Sequence, residues 1–263
     1  MAAKRTVRTA ALICVTAAGV LTGCGVSKDK DTKADDKPAT PTASATTTAA
    51  PPSAAPFAGL TPQQISDKAV EAMKGLSSVT VDFNGKDSGE TMRIRAALTN
   101  DGKCVSHIVL SGGNLELIGV GKEMYAKGDT KFWDVQSGGD GAAINDVLKG
   151  RWLKMPAGSQ QEESFKAFCD LNTFTKSFTE GSGGKKTQGS PVEVAGQQAV
   201  PISGSEDGGT TTMYVAAQGA PYVLKVKHTG DDAGSVTFTD FDKPLNAVAP
   251  PASQTVDASK LGV

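Results

Sequence analysis

Four cysteines and two histidines are the residues of this 263-residue chain best suited to covalent, redox or metal chemistry, and their positions sort them. Cys24 closes the run Leu21-Thr22-Gly23-Cys24, a hydrophobic residue and two small ones before a cysteine. The small residues let the chain enter a peptidase site, and the cysteine thiolate is the nucleophile that takes a diacylglyceryl group. Upstream, Met1 to Arg8 carries Lys4, Arg5 and Arg8, and Ala10 to Val20 is apolar. That apolar run is too short to cross a hydrocarbon core of ~30 Å as a helix, but it suits the middle of an export signal. The three features together read as a lipobox: residues 1–23 are a signal that is removed, and lipid on Cys24 attaches the mature chain to the outer, extracytoplasmic face of a membrane. Two or more acyl chains there make the attachment stable.

Cys14 lies inside the discarded signal, which leaves Cys104 and Cys169 as the only pair in an exported domain. A disulfide is the default for such a pair. A metal site is the sharper alternative, since His107 follows Cys104 by three residues. It lacks ligands, however: His107 and His228 are the only histidines, and neither CxxC nor HExxH spacing occurs. No metal and no cofactor are expected, and His107 reads as a residue on a strand face.

No GxSxG elbow, nucleophile–histidine pair or phosphate-cradling glycine motif is present, so no catalytic residue is assigned and an enzyme is not expected. Glu162-Glu163 and Asp231-Asp232 are adjacent carboxylates. Neighbours on a helix do not face each other and a paired aspartate in a turn is solvated, so both pairs read as surface features. The formal net charge is −1, and no basic patch is interleaved with aromatics, which argues against a nucleic-acid partner.

These residues need elements to hold them. Gly25 to about Pro56 is rich in Thr, Ala, Pro and Ser and has no apolar period, so residues 24–56 read as a lipidated, disordered tether. The folded domain is 57–263. It opens with a helix: Thr61 is the N-cap, Pro62 the first helical residue and Gln64 completes a capping box, with Ile65, Ala69, Met73 and Leu76 on one face. Alternating strands follow at Val79–Phe83, Met92–Leu98, Cys104–Leu110, Asn114–Gly119 and Glu123–Lys127, separated by short turns. Short gaps imply hairpins and one antiparallel meander.

A helix is expected over Gly141–Lys149 with Ile144, Val147 and Leu148 apolar, then a brief strand Trp152–Met155. Two more helices are expected at Gln160–Cys169 and Asp170–Thr179, and their Phe165, Phe168, Phe174 and Phe178 suggest a cap, followed by a loop at Gly181–Gly184. Four strands close the chain, at Gln198–Ser203, Thr210–Ala216, Tyr222–His228 and Ser235–Phe241.

Several short motifs recur in a telling order: Glu123-Met124-Tyr125 running to Lys127-Gly128-Asp129, then Arg151-Trp152-Leu153-Lys154-Met155-Pro156, then Val194-Ala195-Gly196-Gln197. Thr212-Met213-Tyr214-Val215, Pro221-Tyr222-Val223-Leu224 and Phe238-Thr239-Asp240-Phe241 complete the series. Over nearly all of 57–263 this layout resembles the LolA-like lipoproteins of the LppX/LprG type. The resemblance implies an α+β fold, a strongly curved antiparallel sheet forming an unclosed half-barrel with helices packed over its concave mouth. It also implies a hydrophobic cavity between sheet and helices that takes a lipid or acyl chain, with a part in lipid or lipoprotein transport to the cell envelope. The family's cavity lining is not a fixed motif, so the ligand-binding residues are unknown at this point. The alternative from another class is a surface interaction or sensor module of the same fold that docks a protein partner of unknown identity.

Overall fold

The computed structural model describes residues 56–87, 89–179, 184–206, 208–230 and 232–260. The signal 1–23, Cys24, the tether up to residue 55 and most of the Gly181–Gly184 loop lie outside the described residues.

Helix α1 (Pro62–Lys74) starts where the capping box predicts. The Thr61 hydroxyl accepts from the Gln64 amide at 3.2 Å, and the Thr61 amide donates to the Gln64 side chain at 2.9 Å. Its inner stripe, Ile65, Ser66, Ala69 and Met73, is buried. Strands β1 (Ser78–Asp87), β2 (Glu90–Thr99), β3 (Cys104–Leu110), β4 (Gly113–Val120) and β5 (Glu123–Gly128) form the first meander. Helices α2 (Thr130–Ser137) and α3 (Gly141–Leu148) lead to β6 (Trp152–Lys154). Helix α4 (Gln160–Lys166), a 3-10 turn at Ala167–Cys169 and α5 (Leu171–Thr179) make up the cap segment. Then come β7 (Thr187–Gln188), β8 (Val192–Val194), β9 (Gln197–Glu206), β10 (Gly209–Ala216), β11 (Val223–Gly230), β12 (Gly234–Thr239) and β13 (Thr255–Asp257).

The two meanders join through β1 and β12 into one sheet ordered β13-β6-β5-β4-β3-β2-β1-β12-β11-β10-β9-β7, with β8 beside β9. Its end strands do not pair with each other, so the barrel is open. The pairing is antiparallel with one departure from expectation: β13 runs parallel to β6. A parallel neighbour needs a crossover, and the segment from Asp240 to Gln254 supplies it. That segment is fixed at its start by Asp242, whose carboxylate accepts from the Ser77 amide and hydroxyl at 2.8 and 2.9 Å and from the Tyr222 hydroxyl at 2.8 Å.

Bending the sheet demands close approaches. Gly85 faces Gly234 across β1 and β12, and a Cβ on Gly85 would lie 2.9 Å from the Gly234 Cα. Opposite the consecutive Tyr214 and Val215 of β10 stand Lys225 and Val223, so Leu224 is a bulge on β11, which bends and twists that strand locally. α1 lies against β9, β10 and β11; the Ala167–Cys169 turn lies against β2 and β3; α4 lies against β5; α2 lies against β4 and β5. One large cluster of buried hydrophobic residues joins these helices to the sheet. A second, small cluster of Ala199, Ala216 and Leu224 gathers Val194, Tyr214 and Phe241 around it. Within α3 the three apolar residues differ in environment: Leu148 is buried and Ile144 half-buried, but Val147 is 50% exposed. Among the described residues no helix is long and apolar enough to cross a membrane.

Candidate functional site: the concave face of the sheet

Side chains alternate across a strand, so one face of the sheet collects every second residue. The register aligns these into rows running across the strands. One row reads Ile202, Met213, Val226 and Val236 from β9 to β12, and continues as Phe83, Ile94, Ile108 and Leu115 from β1 to β4. The next row reads Phe238, Val81, Ala96, Ser106, Leu117 and Ala126. Its members are at most 2% exposed. The concave face is thus an apolar floor spanning both meanders.

Ser106 is the polar exception in that second row. Its hydroxyl is buried, with no hydrogen-bond partner among the described residues. A buried hydroxyl without a partner costs about 1–3 kcal/mol, and Ser106 is flanked in register by Ala96 and Leu117, with Cys104 opposite Gly119 two residues back on the same face.

The cap is tied to this floor by Cys104 and Cys169, whose sulfurs lie at bonding distance with the Cα atoms 5.3 Å apart. Both are buried, at 0% and 3% exposure. Cys104 opens β3 facing inward, whereas His107, three residues on, pairs in register with Arg95 and Glu116 on the opposite face. Strand alternation separates these two residues, and among the described residues no group of three or more His, Cys, Asp or Glu comes together. An open cleft of about 450 Å³ lies over the disulfide, lined in part by Thr99, Lys122, Lys166 and Asp170. At its rim the Asp101 carboxyl is held down at about 2, first by the Lys103 ammonium and then by the Thr99 hydroxyl.

The expectation that Glu162-Glu163 is surface is corrected for one of the pair. Glu163 is exposed, but Glu162 is 2% exposed and folds back to accept from the Gly158 amide at 2.6 Å, with the Lys166 ammonium at 3.3 Å. It staples the loop before α4 onto the helix. Asp232 accepts from the Gly89 amide at 3.3 Å between hairpin tips, and Asp231 lies outside the described residues.

Two further polar residues meet the floor near its other edge. Ser66, 2% exposed on the inner stripe of α1, donates toward the Met213 sulfur at 4.0 Å and accepts from the Lys186 ammonium at 2.8 Å. His228 pairs in register with Thr211, and its Nδ1 lies 3.0 Å from the Thr211 hydroxyl. Sequence reasoning named His228 only to dismiss a metal site and passed over Ser66, Lys186 and Ser106. The signal for Ser106 was present, since it falls between the inward Cys104 and Ile108. For Lys186 there was none, because a two-residue strand carries no period.

No family model matches the chain, and no curated protein matches it. Comparison with solved structures gives LprF from Mycobacterium bovis, 15% identical, with a TM-score of 0.51 over 72% of this chain and 96% of that one. The chain has the LolA-like half-barrel fold. At lower similarity stand the lipoprotein LppX of Mycobacterium tuberculosis (13% identity, TM-score 0.45, 71% and 98% of the two chains) and MucB of Pseudomonas aeruginosa in its complex with MucA (14% identity, TM-score 0.34, 73% and 58%). Between LprF and this chain the shared property is the fold: an open sheet with its concave face under helices.

Proposed function

We propose that the chain is an exported lipoprotein and not an enzyme, anchored on the outer face of a membrane through lipid on Cys24, with residues 24–56 as tether and 57–263 as a domain that holds an acyl chain of a lipid against its concave face. The observation that carries the binding reading is Ser106. A core built only to be packed would place an apolar residue there, or give the hydroxyl a partner. Instead a hydroxyl with no partner among the described residues sits between Ala96 and Leu117 on an apolar floor. Sites for small hydrophobic ligands have this character: apolar walls with few polar atoms to fix orientation. The cap formed by α4, the 3-10 turn and α5, held by the Cys104–Cys169 pair, shields such a ligand from water.

Native mass spectrometry of the chain recovered from its own membranes tests this. The expected spectrum shows the mature chain from Cys24 with a covalent diacylglyceryl adduct, and in addition a non-covalent acyl-bearing species released at higher collision energy. A spectrum with the adduct and no non-covalent ligand, even after incubation with membrane lipid extract, overturns the binding reading. A chain that begins elsewhere, or an unmodified Cys24, overturns the anchor.

A further inference from the structure

Lys186 is placed where a surface lysine has no reason to be. Thr187 and Gln188 pair with Ser203 and Ile202, so Lys186, the residue just before β7, falls on the same side as Gln188 and Ile202 if the alternation is extended by one residue. Ile202 is 3% exposed and belongs to the concave floor. Lys186 is half-buried, and its ammonium reaches across the edge of the sheet to the Ser66 hydroxyl on the inner stripe of α1. An ammonium has three donors and no acceptor. Among the described residues its one hydrogen-bonding partner is Ser66, and it makes no ion pair. Among the described residues Ser66 in turn has the Met213 sulfur beyond it, a weak acceptor. A positive charge drawn over an apolar floor without a carboxylate is costly, and the cost falls when an anion is supplied. His228 lies three strands away on the same side of the sheet, with Gly204 and Thr211 between: Gly204, Thr211 and His228 are aligned in register, alternating with Ile202, Met213 and Val226. The polar groups at this end are therefore hydrogen-bond donors or able to become so, and they stand directly beyond the apolar row of Ile202, Met213 and Val226.

We propose that Lys186 and Ser66 form the head-group subsite of the acyl ligand and that the ligand is an acidic lipid, its carboxylate or phosphate accepting from the Lys186 ammonium while its chain runs along the concave floor. This rests on the acyl-binding reading above and adds the charge of the ligand to it. The ammonium supplies two free donors to the anion and keeps its bond to Ser66, so the subsite selects charge while the floor selects the chain.

The test is displacement of a fluorescent acyl probe from the mature chain, Cys24 to Val263, by four competitors: oleate, oleoyl lysophosphatidic acid, oleyl alcohol and inorganic phosphate. Oleate and lysophosphatidic acid are expected to bind about tenfold or more tightly than oleyl alcohol, the size of a charge-assisted hydrogen bond. Inorganic phosphate alone is expected not to displace the probe. Lys186→Met keeps the length of the side chain and is expected to bring oleate within about twofold of oleyl alcohol while the affinity for the alcohol holds. Lys186→Arg retains the preference, and Ser66→Ala weakens oleate by a smaller factor than Lys186→Met. Equal binding of oleate and oleyl alcohol by the unaltered chain overturns the head-group proposal and leaves acyl binding standing, as does a preference that survives in Lys186→Met. If no oleoyl compound displaces or the probe does not bind, the acyl-binding reading falls and the subsite with it. Displacement by inorganic phosphate alone identifies a phosphate site and overturns the lipid assignment.

Discussion

Cys104 and Cys169 illustrate how a residue's partner follows from strand alternation. Cys104 opens β3 on its inner face and meets the 3-10 turn of the cap, while His107 is carried to the outer face by the odd spacing between them. The pairing of the two cysteines was legible because, with Cys14 and Cys24 read as signal and lipid site, the two that remain have one pairing open to them. The position of Ser106 was equally legible from the same alternation; its lack of a partner was not, because that depends on what the cap brings opposite. The cross-link closes a loop of 65 residues, and by chain-entropy reasoning it stabilises by about 2–4 kcal/mol. The exported chain is expected to weigh two hydrogens less before reduction than after, and Cys104→Ser with Cys169→Ser together to lower unfolding free energy by about that amount in a denaturant titration. Two free thiols in the exported chain would remove the cross-link from the account.

At the scale of elements, long strands and the capped α1 were readable and short or crossing elements were not. The eight residues of α2 contain Phe132, Trp133 and Val135, too few and too close in sequence to mark a helical face, though Asp129 caps the helix by accepting from the Phe132 amide at 2.7 Å. β7, β8 and β13 have two or three residues each, shorter than one full alternation, and β13 is parallel, a pairing that no local pattern encodes. What fixes α2 is instead a pair of glycines in the strands below it. A Cβ on Gly128 would lie 2.5 Å from the Phe132 ring, and one on Gly113 would lie 2.5 Å from the Phe132 backbone. Trp133 Nε1 donates to the Gly128 carbonyl at 3.0 Å. Gly128→Ala is therefore expected to push α2 off β5, destabilise by about 1–3 kcal/mol and change Trp133 emission. An unchanged spectrum and melting point would show that α2 does not rest there.

At the scale of the molecule, one sheet presents two unlike faces, and the account turns on which of them meets a ligand. The outer face carries an alternating charged row, Lys225, Asp82, Arg95, His107, Glu116 and Lys127 in register apart from Thr237 between the first two. The inner face carries the apolar floor, Ser106 at its middle and Lys186 with Ser66 at its edge. The division between the faces was legible from alternation alone; which residues would cover the inner one was not, since α1, α4 and α5 come from distant parts of the chain.

Residue-resolved photolabelling with a fatty acid bearing a diazirine in its chain, read by peptide mass spectrometry, separates the two faces because neighbours on a strand point opposite ways. Label is expected on the inward residues Ile94, Ser106, Ile108 and Leu117. Label on the outward neighbours Val105 and Ile118, or no specific label at saturating probe, would contradict it.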